Sequence, residues 1–533
     1  MTNFWRRGEH CVWGTAAALT LTLLLALVLI VVVIVNGLGV FWPSAVAEAQ
    51  LADGSRLMGE VIRREPVYRG EGERLQFKVG NRELYGLDFR WVDESDISRL
   101  AHPDNAVVLE REEYGNFYGR LLHVETAQLT DAAQLSPWEQ LEAAHRYVEE
   151  QTEGSLSQIA KQLSRLNAKT SGIRARMDKL IYLGVADEDE AMRQLQEKQL
   201  NIDREFNDVV VLQAAQVEKL SQVTATFVDA SGTEQAMAVA NIVRFYRPNQ
   251  MPLWQKAAFY AGKLYELIFG EPRESNTEGG LFPAIFGTVT LIFIMSLLSF
   301  PLGVVAAIYL REYAKEGVVV RLVRIAVNNL AGIPSIVYGI FGLAFFVYGI
   351  GGSIDRMFFP ERLPTPTFGT GGILWASLTL GLLTVPVVIV ATEEALGAIP
   401  QGVREGSLAL GATKLQTLVR TLLPMASPGI MTGLILAMAR AAGEVAPLMI
   451  TGVVKLAPAL PIDGTFPFVH LDRKFMHLGF HIYDIGFQSP NVEAAKPMVF
   501  VTTLLLVLIV LAMSSVAIYL RNKMKKRYSY RTF

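Results

Sequence analysis

Six apolar runs punctuate the chain: Trp13–Val35, Phe282–Leu310, Ile325–Ile350, Ile373–Ala391, Gly429–Val453 and Met498–Leu520. Each is close to the roughly 20 residues a helix needs to cross a bilayer. From Phe41 to about Gly280 no segment is apolar enough to do so, and the pattern there is that of a water-soluble domain. The runs predict an α-helical polytopic membrane protein with six transmembrane helices and one large domain between helices 1 and 2.

Inside that domain the hydrophobic period changes twice. Gln50–Thr130 holds β-prone runs such as Arg74–Val79 and Asn105–Glu110, punctuated by Gly and Asp. From Leu156 the apolar positions recur at alternating three and four, through Ile159, Leu163, Leu166, Thr170, Ile173, Met177 and Leu180, which is a coiled-coil seam. After Gly184, Asp187 and Glu190 form a capping-box-like start. Met192, Leu195, Gln199, Ile202, Phe206, Val209, Gln213 and Leu220 then repeat the seam. Two arms joined by a short turn predict an antiparallel coiled-coil hairpin at about 155–221, each arm reaching about 40 Å. Strand-like residues return at Thr224–Thr233 and Asn241–Tyr246, so the hairpin reads as an insertion into a small β-domain. Binding arm and spacer are both open roles for it.

The chain has 533 residues, 51% of them hydrophobic and 19% charged, with a mean hydropathy of +0.30. That is too long for one ordinary domain and too apolar for a wholly soluble protein. The net charge of -2 leaves no basis for a nucleic-acid partner. Basic residues cluster instead at membrane-flanking ends. Arg6 and Arg7 precede the first run, Arg311, Lys315, Arg321 and Arg324 separate the second from the third, and Arg521, Lys523, Lys525, Lys526 and Arg527 follow the last. With six spans the positive-inside bias places both termini in the cytoplasm and residues 41–280 outside it. The first run is longer than a signal-peptide core, so it reads as a retained anchor although Ala45–Ala47 resembles a cleavage site. Cys11 is the only cysteine, which leaves no internal disulfide and no Cys-based metal site.

Thr392–Pro424, between the fourth and fifth runs, carries Glu393, Glu394, Arg404, Glu405, Lys414 and Arg420. So many charges belong in water at the membrane surface. Gln401–Leu423 reads as two short helices broken near Gly411, with Pro400 ahead of the first and Pro424 stopping the second. A helix–turn–helix of this kind is a peg that another protein can grip. It resembles the coupling loop of the binding-protein-dependent ABC-importer permeases, whose pattern is Glu-Ala-Ala, three residues, Gly, nine residues, Ile, one residue, Leu-Pro. Glu405, Gly411, Leu423 and Pro424 fall on that spacing, while Gly406 and Ser407 replace the alanines and Thr421 the isoleucine.

Two further motifs lie in the third and fifth runs: Gly332–Gly339 (GIPSIVYG) and Ala439–Pro447 (ARAAGEVAP). A proline and two glycines free backbone groups that must find partners in a bundle. Arg440 inside an apolar run costs about 2.5–3.5 kcal/mol by insertion scales unless it has a partner or a wet path. Glu444, four residues on, would return to the same helix face. A guanidinium fork suits phosphate oxygens, and the carboxylate would repel an anion unless paired or protonated; an ion pair that only fixes helix packing is the alternative. Both motifs resemble those of the phosphate-importing permeases of this family, the PstA type, and with the coupling loop they cover Phe282 to the C-terminus. Residues 41–280 depart from the family's short form.

The resemblance implies an ABC importer type I permease bundle at 281–533, an N-terminal stub and first helix at 1–40, and an extracytoplasmic domain at 41–280. It implies a permease subunit of an ATP-driven importer moving inorganic phosphate across the cytoplasmic membrane, with Arg440 and Glu444 in the substrate path. Coupling to the ATPase would run through Glu405, Gly411, Leu423 and Pro424, in loop 392–424. The implied partners are a second permease (PstC-like), two ATP-binding subunits (PstB-like) and an extracytoplasmic phosphate-binding protein (PstS-like), besides membrane lipid. ATP and Mg would be bound by partner subunits, with no cofactor and no enzymatic site in this chain.

Two other spacings fail. Gly406 and Gly411 have P-loop spacing, but Ala412 stands where lysine is required. His477 and His481 are four apart, yet Leu478 occupies the position of a metalloprotease glutamate; they read as part of an external loop helix with Arg473 and Lys474. A permease for sulfate or molybdate is opposed only by the third- and fifth-run signatures. A membrane-anchored extracytoplasmic sensor calls for a cytoplasmic signalling domain, and none is read after Leu520. An intramembrane enzyme calls for a paired nucleophile and base, or metal ligands, within the spans, and none is found.

Overall fold

The computed structural model describes residues 8–67, 72–125, 135–464, 468–489 and 492–529. Arg6 and Arg7, which orient the first span by charge, lie outside the described residues. The chain forms two compact units, one of Met1–Val40, Leu267–Phe359 and Thr365–Phe533, the other of Phe41–Glu266 with Pro360–Pro364.

The first helix, α1 (Glu9–Gly39), belongs to the membrane unit. The second unit follows, with ten antiparallel strands among the described residues in two five-stranded sheets. One contains β1 (Val46–Leu51), β2 (Arg56–Pro66), β3 (Glu73–Lys78), β4 (Phe89–Asp93) and β5 (Ile97–Ala101) in the order β5-β1-β2-β3-β4. The other contains β6 (Val107–Arg111), β7 (Phe117–Glu125), β8 (Thr224–Val228), β9 (Glu234–Ala238) and β10 (Ile242–Tyr246) in the order β10-β6-β7-β8-β9. The two orders are the same topology used twice. Each sheet has a single 3-10 turn before its last strand, Glu94–Asp96 in one and Val239–Asn241 in the other. Each has a bulge at the same place in its second strand, between Val61 and Arg63 and between Leu121 and His123. Two residues ahead of each bulge stands a glycine, Gly59 or Gly119. A Cβ on either would collide with the carbonyl of Lys78 or Val228 at the end of the neighbouring strand. Only glycine allows this close approach, so the repeat Met-Gly-Glu-Val-Ile-Arg and Tyr-Gly-Arg-Leu-Leu-His marks an internal duplication.

The long insertion sits between the second and third strands of the second sheet. Its helix α2 (Pro137–Gln151) starts with a capping box between Ser136 and Glu139 and lays Leu141, Ala144 and Val148 on a core made by Val107, Leu109, Phe117, Ala225 and Phe227. The arms α3 (Ser157–Tyr182) and α4 (Glu190–Ser221) then run out and back, antiparallel, as the bonds from Gln216 to Gln151 and Ser155 require. Ile159, Leu166 and Val209 are buried between them, with Leu156, Leu163, Ile202 and Phe206 beside. The second arm is capped by Asp189, whose Oδ1 accepts from the Ala191 amide at 2.8 Å, and not by Asp187. Leu220, the end of the seam in the sequence pattern, packs in the sheet core rather than between the arms.

Six helices among the described residues are long and apolar enough to cross a membrane: Glu9–Gly39, Phe282–Tyr313, Ser335–Phe358, Ile373–Gly397, Lys414–Gly443 and Val492–Lys526. Two differ from the apolar pattern. The third begins at Ser335, not Ile325, because Val318–Leu330 is a separate amphipathic helix and Pro334 lacks the amide and constrains Ile333 ahead of it. The fifth is shifted towards the N-terminus by more than a turn at each end: it rises directly out of the charged segment at Lys414 and stops at Gly443. Ile373–Gly397 is the most enclosed of the six and Glu9–Gly39 the least. Gly303 packs on Val388 of that central helix, and Gly429 and Gly433 on its Ala395 and Ala391. Small residues at these crossings let helix backbones come close, the usual source of attraction where lipid removes a hydrophobic driving force.

Candidate coupling and anion-path sites

The charged segment starts where the central helix ends. Helix α5 (Gln401–Ala409) follows Pro400, and Arg404 ties it down: the guanidinium donates to the carbonyls of Ile399 (2.8 Å) and Leu396 (2.6 Å) and to Glu312 Oε1 (2.9 Å). Gly411 has φ +83°, and a Cβ there would meet nothing within 4 Å. The glycine is required by backbone conformation rather than by space. Thr413 and Gln416 then close a capping box on α6 (Lys414–Thr417), and the Ser407 and Thr417 hydroxyls join the two helices at 2.9 Å. Glu405 is exposed. Leu410, at the turn, exposes 91% of its surface, and Leu408, Leu415 and Val419 are exposed beside it. The sequence shows Arg404 only as one charge among six and gives no sign of its tethering role; for the exposed Leu410 the signal is a leucine directly before Gly411.

Pro424 does not stop the second helix. A π-turn at Leu418–Leu422 leads into α7 (Leu423–Gly443) without a break. The wider turn takes up the missing amide of Pro424 and the clash of its ring with the preceding turn. Leu422 is buried and Leu423 partly so, with Leu396, Ile399, Leu418, Ala426 and Ile430. The exposed peg is thereby rigidly continuous with a membrane span.

Arg440 lies in the last turn of α7. Glu444 is outside the helix, in extended conformation (φ -80°, ψ 131°), so the expectation of two side chains on one helix face fails. The pair still meets: Arg440 Nε is 3.8 Å from Glu444 Oε1, an ion pair too long for a hydrogen bond. The chain resumes as α8 (Ala446–Thr451), with Pro447 in its first turn. A proline in the first turn needs no amide, and Gly443 and Pro447 together explain why the span breaks here.

The third- and fifth-span motifs come together at this break. A Cβ on Gly339 would stand 2.8 Å from Pro447 Cα, and Tyr338, Ala441, Ala442 and Leu448 share one buried cluster with Ile333 against it. Tyr338 Oη donates to the Leu330 carbonyl at 2.6 Å, bridging the break ahead of the third span, and lies within electrostatic reach of Arg440. Glu405 and Gly411 belong to the separate charged peg.

His477 and His481 are buried. His477 Nδ1 accepts from the Gly479 amide and so caps α9 (Leu478–Tyr483), while His481 Nε2 meets the Asn276 carbonyl at 3.0 Å. Burial pulls His477 down to about 3 and His481 to about 4, so both are neutral and structural at neutral pH. Asp484 is buried nearby with Lys455 Nζ at 3.0 Å.

Such a bundle, with broken spans and a rigid charged peg, defines a transport permease. Residues 299–526 match the family model for the binding-protein-dependent transport system inner membrane component. The "Probable ABC transporter permease protein YqgI" of Bacillus subtilis is 32% identical over 224 residues, 40% of this chain and 70% of that protein. The "Probable phosphate transport system permease protein PstA" of Methanocaldococcus jannaschii is 32% identical over 221 residues, 41% of this chain and 67% of that protein. The "Phosphate transport system permease protein PstA 1" of Mycobacterium tuberculosis is 36% identical over 172 residues, 32% of this chain and 51% of that protein. The chain thus spans between about half and seven tenths of these relatives. It belongs to the binding-protein-dependent ABC transporter permeases and is a multi-pass inner-membrane protein similar to the PstA permeases.

Proposed function

We propose that this chain is a permease subunit of an ATP-driven importer of inorganic phosphate. The observation that carries the reading is the 32–36% identity to permeases named for phosphate transport. In this reading residues 41–280 are extracytoplasmic, both termini are cytoplasmic, and residues 1–40 and 281–533 hold the spans. A second permease completes the path, two ATP-binding subunits hold ATP and Mg, and an external binding protein delivers the anion. The chain itself is not an enzyme. Closure of the ATPases presses on the peg through Glu405 and the exposed Leu410. Gly411 holds the bend between the two helices, and the unbroken helix through Leu423 and Pro424 carries the displacement to Arg440. There the guanidinium, held by Glu444 at the end of the span, meets phosphate oxygens with a planar fork.

The test is reconstitution with the partner subunits and measurement of ATP hydrolysis with phosphate, sulfate or molybdate on the binding protein. Stimulation by phosphate is the expected outcome. Stimulation by sulfate or molybdate with none by phosphate would overturn the substrate assignment.

A further inference from the structure

We propose that the hairpin formed by α3 and α4 is a self-association surface whose partner is the same hairpin of a second copy of this chain. The two hairpins lie side by side about a two-fold axis parallel to the arms, with their turns at the same end.

Charge carries the argument. The first arm, Ser157–Tyr182, has six basic residues and one acidic. The turn and second arm, from Asp187 to Ser221, have nine acidic residues and four basic. Opposite charge on paired helices normally points to pairing within the hairpin, but none of the six bases of the first arm has an ion-pair partner among the described residues. All six are exposed. Lys161, Arg165, Lys169, Arg176 and Lys179 recur at four, four, seven and three, which is one helical stripe, and Glu190, Glu197 and Asp208 recur at seven and eleven, which is another. The hairpin therefore presents a basic arm and an acidic arm outward, and each is the complement of the other.

Symmetry then selects the geometry. An axis across the arms would set basic arm on basic arm. An axis parallel to the arms sets each basic arm on the partner's acidic arm and brings both turns to one end. At that end Ile181, Tyr182 and Leu183 expose 56%, 60% and 64% of their surface, three consecutive large apolar side chains that the hairpin itself leaves uncovered. The same axis lays each triad against its copy. A face about 40 Å long and two helices wide is on the order of 800 Å² per partner, the size that specific interfaces need. The contact is salt-sensitive, because its attraction is between exposed charges.

The experiment uses the full chain in native membranes, with Cys11→Ser as background and Leu183→Cys as the reporter. Mild oxidation is expected to give a disulfide-linked dimer of this chain, reduced at least tenfold by 0.5 M salt. Lys169→Glu with Arg176→Glu and Lys179→Glu should reduce it as strongly. Adding Glu190→Lys, Glu197→Lys and Asp208→Lys to the same chain should restore it, which separates lost complementarity from a misfolded arm. Absence of the dimer, cross-linking to a different subunit instead, or a yield indifferent to both charge reversals overturns the proposal.

Discussion

Leu23, Leu297 and Leu302 in the membrane unit expose 61%, 63% and 65% of their surface, and Leu183 in the other unit exposes 64%. The first three lie on helices long and apolar enough to cross a membrane, and exposure to hydrocarbon costs nothing. The fourth lies outside those helices, and leaving a side chain of this size in water costs roughly 1.5–3 kcal/mol. Buried polar groups differ in kind between the two. The membrane unit fully buries Thr288, Ser377, Thr379, Thr384, Thr392 and Thr502, and Thr288 and Thr379 each return their hydroxyl to the carbonyl four residues back at 2.7 Å. The second sheet buries charges instead and pairs them, Arg111 with Glu83 and Glu110 with Lys263. Function in the membrane unit is therefore sought at charges and breaks, and in the other unit at apolar side chains left in water.

The comparison breaks most visibly at the peg. Glu405→Arg or Gly411→Leu should leave the protein in the membrane at normal level and abolish both phosphate uptake and substrate-stimulated ATP hydrolysis. A side chain at φ +83° costs about 1–2 kcal/mol and redirects the second helix. Normal uptake by both variants would remove the coupling role.

Arg440→Gln combined with Glu444→Gln separates chemistry from packing, since it deletes both charges at similar volume. The expected complex assembles and hydrolyses ATP but moves no phosphate. A structural ion pair tolerates this exchange at little cost, so near-normal uptake would assign the anion contact to the partner permease. Arg440→Lys keeps the charge and loses the fork, and should lower uptake at least tenfold.

A smaller effect is expected from acid. An unfolded histidine takes up a proton near pH 6.5, whereas His481 resists to about 4 and His477 to about 3. Their contribution is complete above pH 6.5 and is lost as pH falls from there towards the folded-state values, about 2 kcal/mol for each histidine by pH 5. Protection factors in Leu478–Tyr483, with exchange corrected for its base-catalysed intrinsic rate, should fall between pH 7.5 and 5, and His481→Gln should flatten the change.

The smallest effect is expected from removing the arms. Glu125 and Thr224 are paired in register and bonded, Thr224 Oγ1 to Glu125 Oε2 at 2.9 Å, so the sheet does not need the hairpin to bring its strands together. Replacing residues 160–212 with a short Gly/Ser linker keeps Leu220 in the core and should leave phosphate uptake within about twofold. Loss of uptake with normal assembly would give the hairpin a part in the transport cycle.

The sequence by itself determined the six long apolar helices, the strand-rich segment between the first and second of them, the two arms and the two short helices about Gly411. Each of these is written in a local period or composition that lipid or a helix partner enforces along a continuous stretch. Tertiary structure decided the rest. Hydropathy does not register that the third span starts only after Pro334 and the fifth stops at Gly443, and it let both extend past these breaks. Helix spacing put Glu444 on the face of Arg440, but the chain leaves the helix at that residue. Pro424 reads as a stop until a π-turn absorbs it. The contact of Gly339 with Pro447 joins segments about a hundred positions apart, and no local pattern encodes it. The duplicated sheets were hidden for a related reason. Strand order is set by pairings across the chain, and in the sequence only two glycines, each required by a neighbouring carbonyl, mark the repeat.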